Sequence, residues 1–397
     1  MDFAQFIAPM PVDEFLGDYF GRRPVHITAG EGGSTARAAL LTLDRLGELM
    51  GVLPHWTEDN LKLIINSRPI FGEHYLAEPK PGGSGPRRAD PAKVHVFLRI
   101  GASLVANSLE DVDPAIRQVA AMLGDEFAAT SGANAYCSFK DVQAFNSHCD
   151  LHEVFALHLE GEKTWRIYEN RAEAPIEPLE GDGAQAIIDR AKGDVMMTAH
   201  MRPGDLLYIP RGYFHDALAS SDSSLHLTFA VAPLYGRYIF RLLEELTTRD
   251  PEFRAYLADG RRKSGADLQA GLDRLADKVA ELIRSPLFGD QLTARQRALA
   301  MRAFDFDFTH RPKVDYYART ENPAELDWRS AGAILRDGTG EHSLGALVGP
   351  VEWALEQSAF SAPQLHAKFG WLSDSEVREI VRLLTGARLF VPYDPPL

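Results

Sequence analysis

The chain has 397 residues, 45% of them hydrophobic and 25% charged; these are globular values that exclude collagenous, disordered and solenoid classes and imply two or three domains. Its 42 basic against 56 acidic side chains leave a formal net charge of −14, a field that repels phosphate backbones and disfavours nucleic acid as the main ligand. Cys137 and Cys149 are the only cysteines, too few for a disulfide framework, so a reducing, cytoplasmic setting is expected. The start, MDFAQFIAPMPVDEF, has no basic region leading into an apolar one, and no uninterrupted apolar run of about 18 residues predicts a membrane span.

In chain order, apolar spacing predicts amphipathic helices over residues 12–20 and 115–127. Between them the stretch PKPGGSGPRRADP, residues 79–91, cannot hold a helix and reads as a surface loop able to cover a site. From residue 94 to about 233 the pattern changes to short alternating runs, KVHVFLRI, EVFALHL, KTWRIYE, DLLYIP and LHLTFAV. Each is rich in β-branched and aromatic residues and bounded by turn formers, which predicts an antiparallel barrel or sandwich of short strands. Beyond residue 233 the helical period returns. Over residues 267–287, Leu268, Leu272, Leu275, Val279 and Leu282 alternate at spacings of four and three, the seam of a helix that packs on another helix. The spacing leaves open whether that helix belongs to the same chain or to a second copy. The last segment, 313–397, predicts three short helices and a strand at Arg388, Leu389, Phe390 and Val391, with Ser361 and Ser373 as N-caps. The pattern resembles a winged helix, but its 8 basic against 12 acidic residues argue against direct DNA binding.

The chemistry is concentrated in NSHCDLHEVFALHLEGEKTWRIYE, residues 146–169. If this begins as a strand, His148 and Asp150 project from one face while Cys149 points away. Further on, GDLLYIPRGYFH, residues 204–215, reads as a strand, a Pro/Gly turn and a histidine opening the next strand. A barrel can bring His215 beside the first pair. Two imidazoles and one carboxylate on one face of a metal leave three positions open, the arrangement of non-haem Fe(II) oxygenases. His152 would share the strand face, yet a fourth ligand would block the oxygen position, so it reads as a supporting or surface residue.

Together, HCDLHEVFALHLEGEKTWRIYE, GDLLYIPRGYFHDA, the NAY fourteen residues before His148 and the N-terminal FIAPMPVDEFLGDYFGRRPVHI resemble the JmjC-type, cupin-fold oxygenases, specifically the ribosomal-oxygenase subgroup. The resemblance implies an α+β protein. A double-stranded β-helix with a helical N-terminal lead-in would span residues 1–235, a helical dimerisation segment 236–312, and a winged-helix domain 313–397. It implies an enzyme that takes Fe(II) as cofactor, with 2-oxoglutarate and O2 as co-substrates, and hydroxylates a C–H bond while releasing succinate and carbon dioxide. His148, Asp150 and His215 fall on the family's metal ligands. Lys163 falls on the cation that holds the distal carboxylate of 2-oxoglutarate, a contact a lysine point charge can supply. Asn134 and Tyr136 match residues lining the same pocket, and Thr228 can add a hydroxyl, although the family often carries its hydroxyl where this chain has Ala230. His158 stands where relatives frequently have Gln. The client implied is a basic polypeptide, a ribosomal protein bearing the target arginine or histidine, and the enzyme would be a homodimer. A small molecule, a peptide natural product or N-methyl-lysine would need the same iron site, and a non-catalytic cupin scaffold would not need it.

Overall fold

The computed structural model describes residues 1–30, 35–52, 55–65, 67–77, 85–139, 146–300, 314–329 and 332–393. They form two compact units, Met1–Pro233 and Leu234–Leu397.

In the first unit the expected barrel is present. Its strands are β1 (Val25–Ile27), β2 (Leu61–Ile65), β3 (Arg68–Pro69), β4 (Ser103–Ala106), β5 (Ala129–Phe139), β6 (Glu153–Glu160), β7 (Lys163–Arg171), β8 (Val195–Met201), β9 (Leu206–Ile209), β10 (Tyr213–Ala219) and β11 (Ser223–Pro233). They pair as an eight-stranded sheet, β1-β9-β6-β11-β5-β4-β2-β3, and a three-stranded sheet, β10-β7-β8. Alternation along the strands decides which side chains meet. On β6, Val154 and Ala156 point toward Trp165 and Ile167 of β7, Ala199 and Met201 of β8 and Leu207 and Ile209 of β9, making the core between the sheets. Phe155, Leu157 and Leu159 point the other way, into a larger core with Phe6, Phe15, Leu46, Ile116 and Leu123 of the covering helices. A strand buried on both faces explains why EVFALHL reads as nearly continuous apolar sequence.

The run KVHVFLRI is a correction: it is not a strand but most of a helix, Pro91–Arg99. Asp90 accepts hydrogen bonds from the backbone N–H groups of Ala92, at 3.0 Å, and Lys93, at 3.3 Å, and Pro91 is pre-set for the first turn. This cap outweighs the β preference of Val94 and Val96, and only Val94 is buried. The helix expected over 115–127 is present as Pro114–Glu126. The one expected over 12–20 begins as Val12–Glu14 and continues as a wider π-type turn, Phe15–Tyr19. The first part of the expected covering loop, residues 79–84, lies outside the described residues; at the loop's end Arg88 bridges Thr57 and Ala89 bridges Leu76.

In the second unit, the helix carrying the leucine seam is Ala266–Ile283. The expected continuation to residue 287 is broken, because Ser285 caps a new helix, Pro286–Arg297, through the N–H of Phe288 at 3.2 Å. None of the 18 residues of the seam helix is buried. Val279 and Leu282 pack partly against Leu242, Leu243 and Phe288, whereas Leu272 is 42% exposed. Before the seam lies the helix Tyr238–Thr247, and the described residues beyond 313 hold three α-helices, Val348–Glu356, Ala362–Lys368 and Asp374–Gly386. The Ser373 cap is as expected, its side chain accepting from Glu376 N while Ser373 N donates to the Glu376 carboxylate at 2.8 Å. Six strands, β12 (Tyr316–Arg319), β13 (Glu325–Arg329), β14 (Gly332–Asp337), β15 (Gly340–Ser343), β16 (Ala359–Ser361) and β17 (Phe390–Tyr393), form two sheets, β16-β12-β17 and β13-β14-β15. Only the last of the six is visible in the sequence pattern. Among the described residues no helix is long and apolar enough to cross a membrane.

The turn between β6 and β7 tests the barrel's tolerance. Gly161 has φ +70°, and a Cβ there would lie 1.9 Å from the backbone oxygen of Ser223. Gly161→Ala is expected to destabilise the chain by at least about 2 kcal/mol, read as a lower urea midpoint; an unchanged midpoint would show that this turn relaxes freely.

Candidate metal centre and cavity

The barrel interior opens into a cavity of about 300 Å³ lined by residues from both sheets and from the segment before β6. Six of the seven residues singled out from sequence line it: Tyr136 of β5, His148, Asp150, Lys163 of β7, His215 of β10 and Thr228 of β11. The seventh, Asn134, shares the inward face of β5 with Tyr136 but is not part of the lining; its side-chain oxygen accepts from Ser108 N at 3.3 Å. Thr228 lies opposite Asn134 on β5 and Ala156 on β6.

His148 and Asp150 are not on a regular strand, as the alternation argument required. β6 begins only at Glu153, and residues 146–150 join the barrel through one antiparallel bridge, His148 with His215. His148 N donates to His215 O at 3.0 Å, His215 N to His148 O at 2.8 Å, and Gly212 N to Asp150 O at 2.9 Å. The bridge nevertheless brings one ligand atom from each of His148, Asp150 and His215 within 4.8 Å of one another. His215 Nε2 lies 3.5 Å from an Asp150 oxygen.

The donor chemistry fits a divalent metal. His148 Nδ1 lies 2.9 Å from the Asn146 carbonyl and His215 Nδ1 lies 3.0 Å from the Tyr213 carbonyl. A carbonyl can only accept, so each Nδ1 carries the proton and each Nε2 is left with its lone pair toward the cluster. Burial, reinforced by the neighbouring His148, pushes the His215 imidazole down to about 4, so it is neutral at physiological pH, as metal ligation would require. Burial would raise the Asp150 carboxyl, but His215, His148 and His152 outweigh that effect and hold it below its usual range. His152 is outside the cluster, its Nδ1 3.2 Å from the Glu153 carbonyl.

Lys163 is 4% exposed and lines the same cavity. Burial pulls its ammonium down to about 8, with only Cys137 opposing; among the described residues no carboxylate pairs with it. His158 is fully buried and is not part of the lining; its Nε2 lies 3.0 Å from the Gly161 carbonyl. Residues not anticipated as lining are Lys62, Val105, Asn107, Val154, Trp165, Ala217 and His226. Strand alternation puts His226 on the face of Thr228 and Trp165 on that of Lys163, a signal the sequence carries. Nothing local in the sequence connects Lys62, Val105 or Asn107 to them. His226 stacks on Tyr136 at 4.8 Å between ring centres and meets Trp165 edge-on at 5.4 Å. Burial, then the charge of Lys163, drives its pKa well below the ordinary imidazole value.

A two-sheet antiparallel barrel with such a cluster at its cavity has a cupin-type fold. Residues 111–237 match the family model of the JmjC domain. Two similar relatives are a Drosophila persimilis protein named bifunctional lysine-specific demethylase and histidyl-hydroxylase NO66, 30% identical over 57% of this chain and 31% of its own length, and human ribosomal oxygenase 1, 30% identical over 57% and 34%. The chain spans about a third of the length of these curated relatives. A solved ribosomal oxygenase from Escherichia coli, YcfD, in complex with cobalt and 2-oxoglutarate, is 15% identical and shares the fold with a TM-score of 0.51 over 97% of this chain and 99% of its own. The chain is thus similar to JmjC proteins over residues 111–237 and to proteins named as ribosomal oxygenases over 57% of its length.

With His148, Asp150 and His215 as the three protein ligands of a metal, His148→Ala or Asp150→Ala would weaken Fe(II) binding sharply and abolish turnover while leaving circular dichroism nearly unchanged. Turnover at the wild-type rate in either variant would remove the triad.

Proposed function

We propose that this chain is an Fe(II)- and 2-oxoglutarate-dependent oxygenase that hydroxylates a side chain of a ribosomal protein. The observation that carries the reading is the conjunction, within one cavity, of the open His148–Asp150–His215 cluster and the buried, unpaired charge of Lys163. Bound iron would supply oxygen activation coupled to decarboxylation of the keto acid. The chain's own residues hold the metal through two Nε2 atoms and one carboxylate, and Lys163 holds the distal carboxylate of 2-oxoglutarate. Tyr136 and Thr228 line the same space, and the apolar and aromatic wall of Val105, Val154 and Trp165 excludes bulk water. The protein contributes position and desolvation, the metal the redox chemistry.

The cavity also bears on the client. At about 300 Å³ it is at the small end of ligand cavities, suited to the co-substrate and one inserted side chain rather than a large free metabolite. Among its described lining residues the one carboxylate is that of Asp150, and two lysines, Lys62 and Lys163, are present. An arginine or methyl-lysine would find no spare anion there, whereas a neutral imidazole needs none, which favours histidine as the target. The net charge of −14 suits a basic polypeptide.

The second unit supports a homodimer in the same proposal. Leu272 is exposed and Leu268 and Leu275 only half-buried on a helix with no fully buried residue, so a second copy would cover them. We assign residues 236–312 to this role, 313–397 to a winged-helix module that does not bind DNA, and the cytoplasm as the location, in keeping with two unpaired cysteines.

Three measurements test the proposal. Incubation with Fe(II), 2-oxoglutarate and ribosomal proteins should yield succinate and a +16 Da product on a histidine; turnover confined to small molecules would replace the polypeptide reading. Lys163→Ala should raise the 2-oxoglutarate requirement roughly 10- to 100-fold, the loss of one charge-assisted contact, with metal affinity unchanged. In the wild type, Lys163 is cationic below its folded pKa of about 8, so 2-oxoglutarate affinity should hold at lower pH and fall by up to tenfold per unit above it, a decline absent from the variant; a normal titration by Lys163→Ala would assign the carboxylate to another cation. Finally, Leu272→Glu with Leu275→Glu should halve the mass seen by light scattering while preserving the fold, since Val279 and Leu282 keep the intrachain contacts; a wild type that scatters as a monomer at micromolar concentration would end the dimer claim.

A further inference from the structure

Two of the three ligands in the metal reading sit on a segment that the barrel's ladder does not hold. Residues 146–150 make a single bridge, His148 with His215, and one further backbone bond, from Gly212 N to Asp150 O at 2.9 Å, so the ladder alone fixes the segment at few points. The register of that bridge places Ser147 across from Asp216. Neighbours along extended chain point to opposite faces, so the two imidazoles enter the cavity and Ser147 and Asp216 meet on the reverse side. There the Ser147 hydroxyl donates to Asp216 Oδ2 at 2.8 Å, the Tyr168 hydroxyl to the same oxygen at 2.6 Å, and Arg166 Nε to Oδ1 at 2.8 Å. Asp216 is 3% exposed, and these three donors satisfy a carboxylate that burial would otherwise penalise heavily.

A second layer closes over the first. The helix Ala184–Ala191 supplies Gln185, whose amide donates to the Ser147 carbonyl at 3.2 Å. Lys192, just past its end, donates to the Ser147 hydroxyl at 3.0 Å and to Asp189 at 2.8 Å, and lies 4.6 Å over the Tyr168 ring. Contacts from β7, β10 and this helix therefore converge on the residue before the first ligand and the residue after the last. None of these side chains lines the cavity.

We propose that Asp216 is a positioning residue: with Ser147, Tyr168 and Arg166 it locks the back of the His148–His215 bridge, so that both Nε2 atoms and the Asp150 carboxylate converge on one metal. This rests on the metal-site reading. The sequence shows the device as Ser before the first histidine and Asp after the last, in SHCD and FHDA.

The test titrates the full chain with Co(II), following calorimetry and the visible absorption bands that report coordination geometry, beside the melting temperature of each apoprotein. Asp216→Asn and Ser147→Ala should remain folded, and Asp216→Asn should bind Co(II) about 10- to 100-fold more weakly than wild type, with altered bands; Ser147→Ala should shift in the same direction by less. Should Asp216→Ala fail to fold, these two variants still decide. Lower melting with wild-type Co(II) affinity and bands would make Asp216 a fold residue only and overturn the proposal, as would unchanged values throughout. A wild type that takes up no Co(II) would overturn the metal-site reading and the clamp with it, whereas wild-type binding matched by every clamp variant would overturn the clamp alone.

Discussion

The paired backbone hydrogen bonds between His148 and His215 are the contact on which the site depends. They join a segment with no ladder of its own to the first turn of β10, and their register decides what faces what: imidazoles toward the cavity, Ser147 and Asp216 behind. Slipping the pairing by one residue would set Cys149 opposite His215 or Phe214 opposite His148, so the two histidines could no longer share the cavity face. The tautomers follow from the same local geometry, since each Nδ1 is turned back onto the carbonyl two residues earlier, Asn146 for His148 and Tyr213 for His215. A weakly anchored segment thus carries ligands of defined orientation.

Desolvation is the second constraint. The cavity is walled by apolar and aromatic side chains, and its ionisable groups respond to it: burial depresses His215, His226 and Lys163 alike. Neutral imidazoles suit metal ligation, whereas a lysine near its titration point is poised to be recharged by an arriving carboxylate. The same burial that makes Lys163 unfavourable alone makes its pairing with an anion strong, because the interaction is little screened there. Asp216, behind the ligands, meets the opposite treatment: it too is buried, but three donors hold it charged, below the usual carboxylate range.

In the second unit, the seam that reads as one stripe divides by function. Its C-terminal part, Val279 and Leu282, packs on the chain's own Leu242, Leu243 and Phe288. Its earlier part meets little of its own chain. The break at Ser285 and Pro286 turns the next helix so that Leu287 joins the C-terminal core with Leu335, Val348 and Leu344. The helix after the seam is therefore tied to the C-terminal module through buried Leu287 and through Arg297, which donates to Glu376 at 2.7 Å.

Sequence by itself determined the barrel strands EVFALHL, KTWRIYE, DLLYIP and LHLTFAV, because a two-residue period and a Pro/Gly turn are local properties that survive in any strand context; His148, Asp150, His215 and Lys163 stand out by motif and resemblance, and the fold brings them to one cavity. It misjudged KVHVFLRI, where the Asp90–Pro91 cap overrode β-branched preference, and it put His148 and Asp150 on a strand they only border. Tertiary structure alone decided that Lys62, Val105 and Asn107 close the cavity, that Asn134 turns toward Ser108, and that Ser147 and Asp216 meet behind the ligands. Those contacts join residues 26 positions apart for Ser108 and Asn134 and 69 apart for Ser147 and Asp216, and no short-range pattern encodes them; they exist only once the sheets have paired and the strand register is set.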